Sequence, residues 1–160
     1  MGENNKMTLI LFSGEMDKAL AAFTLATTAA SMGFEVSIFF TFWGLNAIRK
    51  GGLTSKKLNI LQKMFGLLNK GGNIKLPLSK FNMAGMGPFM MKKLMKSKKM
   101  ASLEDLMKLA RELKVKFIAC TTSCGVMGLE RTDLIGEVDE MAGAATYLAE
   151  AKDSKINLFI

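Results

Sequence analysis

The chain has 160 residues, enough for one ordinary domain and too few for two, and 49% of them are hydrophobic, which supplies a sizeable core and excludes a disordered chain. A net charge of +8, from 22 basic and 14 acidic residues, fits an anionic partner and equally plain solubility. No histidine is present, which excludes Ser-His-Asp and Cys-His machinery and any histidine-ligated metal, and two cysteines are too few for a Cys₄ site or a two-disulfide framework.

Met7 to Phe12 is a continuous apolar run, the mark of a strand buried on both faces of a parallel sheet. Ser13-Gly14 opens a helix with Glu15 and Asp17 in its first turn. Ala19, Leu20, Phe23, Ala26, Thr27 and Ala30 share one face of it, and Gly33 ends it. Val36 to Phe40 is a second strand, and Thr41 to Gly44 leads into a short helix that runs to Lys50. This βαβα start predicts a parallel sheet.

From residue 53 to about 100 lies a Gly-, Met- and Lys-rich insertion in an otherwise single domain spanning 1–160. Ser55 to Leu68 has helical spacing (Leu58, Leu61, Met64, Phe65, Leu68), and Asn69 to Lys80 reads as a loop. Phe81 to Met100 holds six methionines and five lysines, with a helix expected from about Pro88. Its plain reading is an amphipathic helix with solvated lysines. The sharper one is a mobile basic flap in which Lys92, Lys93 and Lys96 contact a partner.

The regular pattern then resumes. Ser102 caps a helix to Leu113, Val115 to Cys120 is a strand, and Thr121 to Gly128 is a polar turn. Arg131 to Ile135 is a short helix or turn, with a brief strand around Val138 after it. Met141 to Lys152 is an Ala-rich helix, and Ile156 to Ile160 is the last strand. The expected fold is therefore α/β, doubly wound in three layers, with a mainly parallel sheet of about five strands. The apolar region from Ala19 to Ile48 is long enough to raise a membrane span, but Gly33 and Glu35 interrupt it, and helix followed by strand accounts for it. No signal peptide is visible, and a cytoplasmic location is expected.

In such sheets ligands meet the carboxyl ends of strands. Three junctions there carry chemistry: Ser13-Gly14, Thr41 to Gly44, and Cys120 to Gly125. The first lacks the spacing of a dinucleotide site; it is an ordinary helix start or, less readily, a source of N–H groups for a small anion. Cys120 ends an apolar strand ahead of hydroxyls and Gly125, where N–H donors favour a thiolate. The competing reading is a buried structural cysteine. Cys124, in a C-x₃-C spacing, is either a relay or resolving thiol or a packing residue. Neither a cofactor nor a metal is expected.

Five blocks in order resemble one family: S-G-E-M-D-K-A-L-A-A-F, F-F-T-F-W-G-L-N, N-M-A-G-M-G ahead of M-M-K-K-L-M, I-A-C-T-T-S-C-G-V-M, and G-A-A-T-Y-L. The chain resembles the DsrE/DsrF-like sulfur-handling proteins from Met7 to Ala151, above all the archaeal and bacterial branch associated with sulfur-carrier and rhodanese proteins. The resemblance implies a three-layer α/β oligomer that carries sulfane sulfur or thiosulfate on a cysteine, which falls on Cys120. The implied partners are sulfur-carrier or rhodanese-type proteins and small sulfur anions. Whether such a carrier turns over as a sulfurtransferase is left open. The pocket is expected around Ser13, Gly14, Trp43, Thr121 and Gly125, with Cys124 as candidate relay. The alternative is a non-catalytic oligomeric adaptor or regulatory subunit with a structural cysteine. Nucleic acid is not expected as a partner, and peripheral membrane contact, though allowed by the charge, is not expected either.

Overall fold

A computed structural model describes residues 5–51, 72 and 75–160. Its centre is β1 (Lys6–Leu11), which pairs in parallel with β2 (Glu35–Phe40) on one side and with β5 (Ile156–Phe159) on the other. β3 (Lys116–Cys120) pairs with β2, and β4 (Glu140–Ala142) with β3. The five-stranded order is β4-β3-β2-β1-β5, every pairing parallel. The doubly wound α/β expectation is met, and its physical basis is plain: strands apolar at successive positions need cover on both faces.

Alternation divides the side chains between the faces. Leu9, Leu11, Ile38, Phe40, Phe117 and Ala119 face the larger core, where α1 (Met16–Ser31) packs beside a helix at Leu103–Glu112. Small Ala19, Ala22 and Ala26 on α1 allow close approach to the sheet, and Phe23 fills the space between. The Phe23 ring lies 6.1 Å from Phe40 and 5.6 Å from Phe117. α1 ends where Gly33 turns left-handed at φ 85°, a conformation glycine adopts without penalty.

The segment between β2 and β3 ends in two helices, α2 (Met86–Ser97) and α3 (Leu103–Glu112). A reciprocal capping box starts α3: the Asp105 N–H donates to Ser102 Oγ at 3.1 Å, and the Ser102 N–H donates back to the carboxylate at 3.0 Å. After β3 comes α4 (Thr121–Met127). The last crossover runs from β4 through α5 (Ala144–Ala151), which packs across β1 and β4 on the second face. There Tyr147 joins Phe39, Ile118, Cys120 and Ala142 in a smaller core.

Four expectations need correction. The polar turn at Thr121 to Gly128 is the helix α4, ending at left-handed Gly128, with the Thr122 and Ser123 N–H groups of its first turn directed to Cys120. The brief strand lies at Glu140–Ala142 rather than around Val138, whose side chain is buried in the larger core. Accordingly α5 starts at Ala144, with extended Gly143 before it, not at Met141. The helix to Lys50 is a 3₁₀ turn over Phe42–Ala47, after which Arg49 forms an antiparallel bridge to Leu134. The helix expected at Ser55 to Leu68 lies outside the described residues.

Candidate functional site

The register of the sheet builds the site. Phe40 is level with Ala119, so one further step along the same register sets Thr41 beside Cys120. Cys120 is the extended N-cap of α4 (φ −69°, ψ 115°), and the chain turns there from strand to helix. The Thr41 and Ser123 hydroxyls are 2.8 Å apart, which ties the end of β2 to the first turn of α4.

Burial, with 6% exposure, pushes the Cys120 thiol up. Against it act the hydroxyl and N–H of Ser123, the Thr41 hydroxyl and the Thr122 N–H, which stabilise the thiolate. Together they win, and the thiol ionises below its ordinary range. Such a sulfur is a ready nucleophile without any base, which suits a chain that lacks histidine.

Cys124 is set up in the opposite sense. It faces the larger core, and its thiol is pushed up to about 11 by burial, then by the Cys120 and Asp133 charges. At neutral pH it stays protonated. Both cysteines are free thiols. Cys124 packs in the larger core and Cys120 in the smaller one, on opposite faces of the sheet.

The other expected residues fall at different distances from this centre. Thr121 and Gly125 are exposed on α4, and Gly125 has open space where a side chain would go. Ser13 and Gly14 follow β1, two strands from Cys120, which is roughly 10 Å at the spacing of paired strands. The Ser13 N–H donates to the Ile160 carbonyl, so it is engaged within the sheet's own end. Gly14 is buried against Trp43: a β-carbon there would meet the Trp43 carbonyl oxygen at 2.8 Å. Trp43 itself is part-exposed on the 3₁₀ turn. Lys92, Lys93 and Lys96 are exposed on α2, whose buried Met95 lies beside Met16, Leu20 and Leu103. They therefore sit on the larger-core side of the sheet, whereas Cys120 points to the other side.

Thr41, Thr122 and Ser123 lie in junctions that the sequence marks, but it does not single them out as the groups around Cys120. The usable signal is positional, since residues one step past the ends of adjacent parallel strands are neighbours. Applying it needs the strand order, which periodicity does not supply.

A family model for DsrE/DsrF/DrsH-like proteins matches residues 3–159. The chain belongs to that family. Among its relatives, the uncharacterized protein YrkE of Bacillus subtilis (strain 168) is 45% identical over 158 residues, covering 99% of this chain and 98% of that protein. The sulfur carrier protein DsrE2 of Allochromatium vinosum is 36% identical over 167 residues, covering 99% of each. Two solved structures share the fold: MTH1491 from Methanobacterium thermoautotrophicum, a protein of unknown function (TM-score 0.53, 9% identity, 98% of this chain and 99% of that one), and the ychN protein from E. coli (TM-score 0.54, 10% identity, 97% and 99%). The DsrE-like assignment thus agrees with the blocks read from the sequence. No helix among the described residues of this DsrE-like chain is long and apolar enough to cross a membrane.

Proposed function

We propose that this protein is a sulfur carrier that holds sulfane sulfur or thiosulfate on Cys120 and passes it to the thiol of a partner. The observation that carries the reading is the Cys120 thiol itself, ionised below its ordinary range despite burial by four donors from β2 and α4. The kinship with a relative named as a sulfur carrier supports it.

The chemistry balances without an external oxidant. The Cys120 thiolate attacks the outer sulfur of a donor persulfide. A new S–S bond forms at Cys120 while the donor's S–S bond breaks, and the donor leaves as its thiolate. With tetrathionate the same attack leaves a thiosulfate-derived adduct on Cys120 and releases thiosulfate. A partner thiolate then attacks the held sulfane sulfur, and Cys120 returns as thiolate. The hydroxyls of Thr41 and Ser123 meet the charge at the start and end of each cycle. Cys124, protonated and turned to the other core, is on this reading a packing residue.

Sulfur-carrier and rhodanese-type proteins are the fitting partners, in a cytoplasmic setting that keeps both thiols free. A homo-oligomer belongs to the proposal as well. Phe42, Phe12 and Phe159 form a ladder past the carboxyl end of the sheet, with ring centroids 5.3 and 5.8 Å apart, and Phe159 is 68% exposed.

A second reading, an oligomeric adaptor with a structural cysteine, has the burial of Cys120 in its favour. Mass spectrometry after exposure to tetrathionate or a persulfide donor separates the two. The sulfur-carrier reading expects an adduct on the parent and none on Cys120→Ser. An unlabelled parent, or a Ser variant labelled like the parent, refutes it in favour of the adaptor.

A further inference from the structure

The positive charge of this chain is concentrated in one stretch. Between residues 36 and 103 there are 13 basic residues and no acidic one, whereas the rest of the chain has 9 basic and 14 acidic residues. Twelve of the thirteen are lysines, and the single arginine, Arg49, is buried. The outward-facing charge of this stretch is therefore carried by lysine alone.

The same stretch shows bulky apolar groups to solvent. On α2, Met86, Phe89, Met90 and Leu94 are exposed beside Lys92, Lys93 and Lys96, and only Gly87 and Met95 are buried. Phe81 and Met83 stand out just before the helix and Met100 just after it, Phe81 at 81% exposure. The backbone is committed to this display. Phe81, Met83 and Ala84 take positive φ angles of 57°, 42° and 54°, uncommon for residues with side chains. Gly87 packs so closely on the Phe81 carbonyl that a β-carbon would lie 1.9 Å from its oxygen. The turn thus fixes α2 at one end while Met86, Phe89, Met90 and Leu94 stay exposed.

We propose that α2 and its flanks dock this protein on an anionic phospholipid surface, with the lysines at headgroup level and Phe81, Met86, Phe89, Met90 and Leu94 at the headgroup–acyl boundary. Three observations favour lipid over an acidic protein. Protein interfaces are enriched in Arg and depleted in Lys, the reverse of this surface. Lysine keeps its strongly hydrated ammonium in the aqueous headgroup layer while its stem lies along apolar neighbours. No acidic residue lies on α2 or its flanks to repel anionic headgroups, Glu104 and Asp105 bordering the lysines only at the start of α3, and each lysine near such a surface contributes about 1 kcal/mol, which is about fivefold in binding. Twelve helical residues span about 18 Å, too short to cross a hydrocarbon core of ~30 Å, so α2 lies on the surface rather than across it. Lys92, Lys93 and Lys96 thereby meet lipid rather than a protein partner. Cys120, on the other face of the sheet, is left open to exchange sulfur while the protein is docked.

The test is sedimentation of the whole chain with phosphatidylcholine vesicles, with and without phosphatidylglycerol. Binding is expected only where phosphatidylglycerol is present, weakening as salt rises. The variant K92Q/K93Q/K96Q should bind on the order of 100-fold more weakly, three steps of about fivefold. Phe89→Ser with Leu94→Ser leaves the charge unchanged and should abolish the part of binding that survives high salt. All these side chains are exposed, so both variants should melt with the parent. No binding to phosphatidylglycerol vesicles, or equal binding to both vesicle types, overturns the proposal. So does binding of soluble polyglutamate as tight as that of vesicles, which would reassign the surface to an acidic protein. Tetrathionate loading of Cys120 in the same preparations reports separately on the sulfur-carrier reading and should be unchanged in both variants.

Discussion

Replacing Ser123 with Ala tests whether the Cys120 thiolate is held by the donors around it. Ser123 is fully enclosed, so the change removes one oxygen and leaves its N–H in place. A hydrogen bond to a charged acceptor contributes about 1.5–3 kcal/mol, and the Thr41 hydroxyl, released from its 2.8 Å contact with Ser123, recovers part of the loss. The lower figure lowers the thiolate population near neutral pH by about tenfold. A more basic thiolate is also a better nucleophile, by about threefold for that change. The net expectation is iodoacetamide alkylation about three- to fourfold slower than the parent on the acid side of the titration. Once both proteins are fully ionised, the variant should instead react about threefold faster, so the two pH–rate profiles cross. Cys124, held up to about 11, does not contribute to the lower limb. Profiles that superimpose would mean that Ser123 does not stabilise the thiolate. Profiles that stay parallel would point to altered access instead.

Two further expectations follow from the same region. Gly44→Ala places a β-carbon 1.9 Å from the Leu11 carbonyl oxygen, more than an ångström too close, so the 3₁₀ turn after Thr41 must move. It should destabilise by about 1–3 kcal/mol in urea and slow Cys120 alkylation in the fraction that remains folded, and a parent-like rate would uncouple that turn from the thiolate. For Cys124, the folded thiol is raised to about 11 from 9.0, so its neutral form stabilises the fold below pH 9 and that contribution is lost as pH climbs through 11. The stability gap between the parent and Cys124→Ala should narrow over that window. A gap independent of pH would place Cys124 in a more solvated site.

The strands were legible because Met7 to Phe12, Val36 to Phe40 and Val115 to Cys120 are apolar at nearly every position, with only Thr8, Ser37 and Lys116 interrupting them, as burial on both faces requires. α1 and α3 were equally readable from their spacing and, for α3, from the Ser102 cap. α4 was not: Thr, Ser, Cys and Gly have weak helix propensity, and the helix depends on the sheet that positions its first turn. Cys120 could be singled out from its place at a strand end, but its donors could not. Thr41 is 79 positions away in a different junction, and only the β2–β3 pairing brings it alongside. Ser13-Gly14 reads from the sequence as an ordinary helix start or as N–H groups offered to a small anion. The pairing of β5 with β1 takes up the Ser13 N–H, and Gly14 serves the close passage of the Trp43 backbone.

The chain order of the sheet has a consequence for synthesis. β1 receives its second neighbour only from β5, a contact that joins Thr8 to Asn157 across 149 positions. A growing chain can therefore assemble β1, β2 and β3 with α1 and α3 over one face while the other face still waits for Tyr147 and the rest of α5. During that interval Phe39, Ile118 and the Cys120 thiol lie uncovered beside an open strand edge. The nascent protein is thus more prone to oxidation and edge-to-edge aggregation than the finished one, and a chain cut short before Ala144 would remain in that condition.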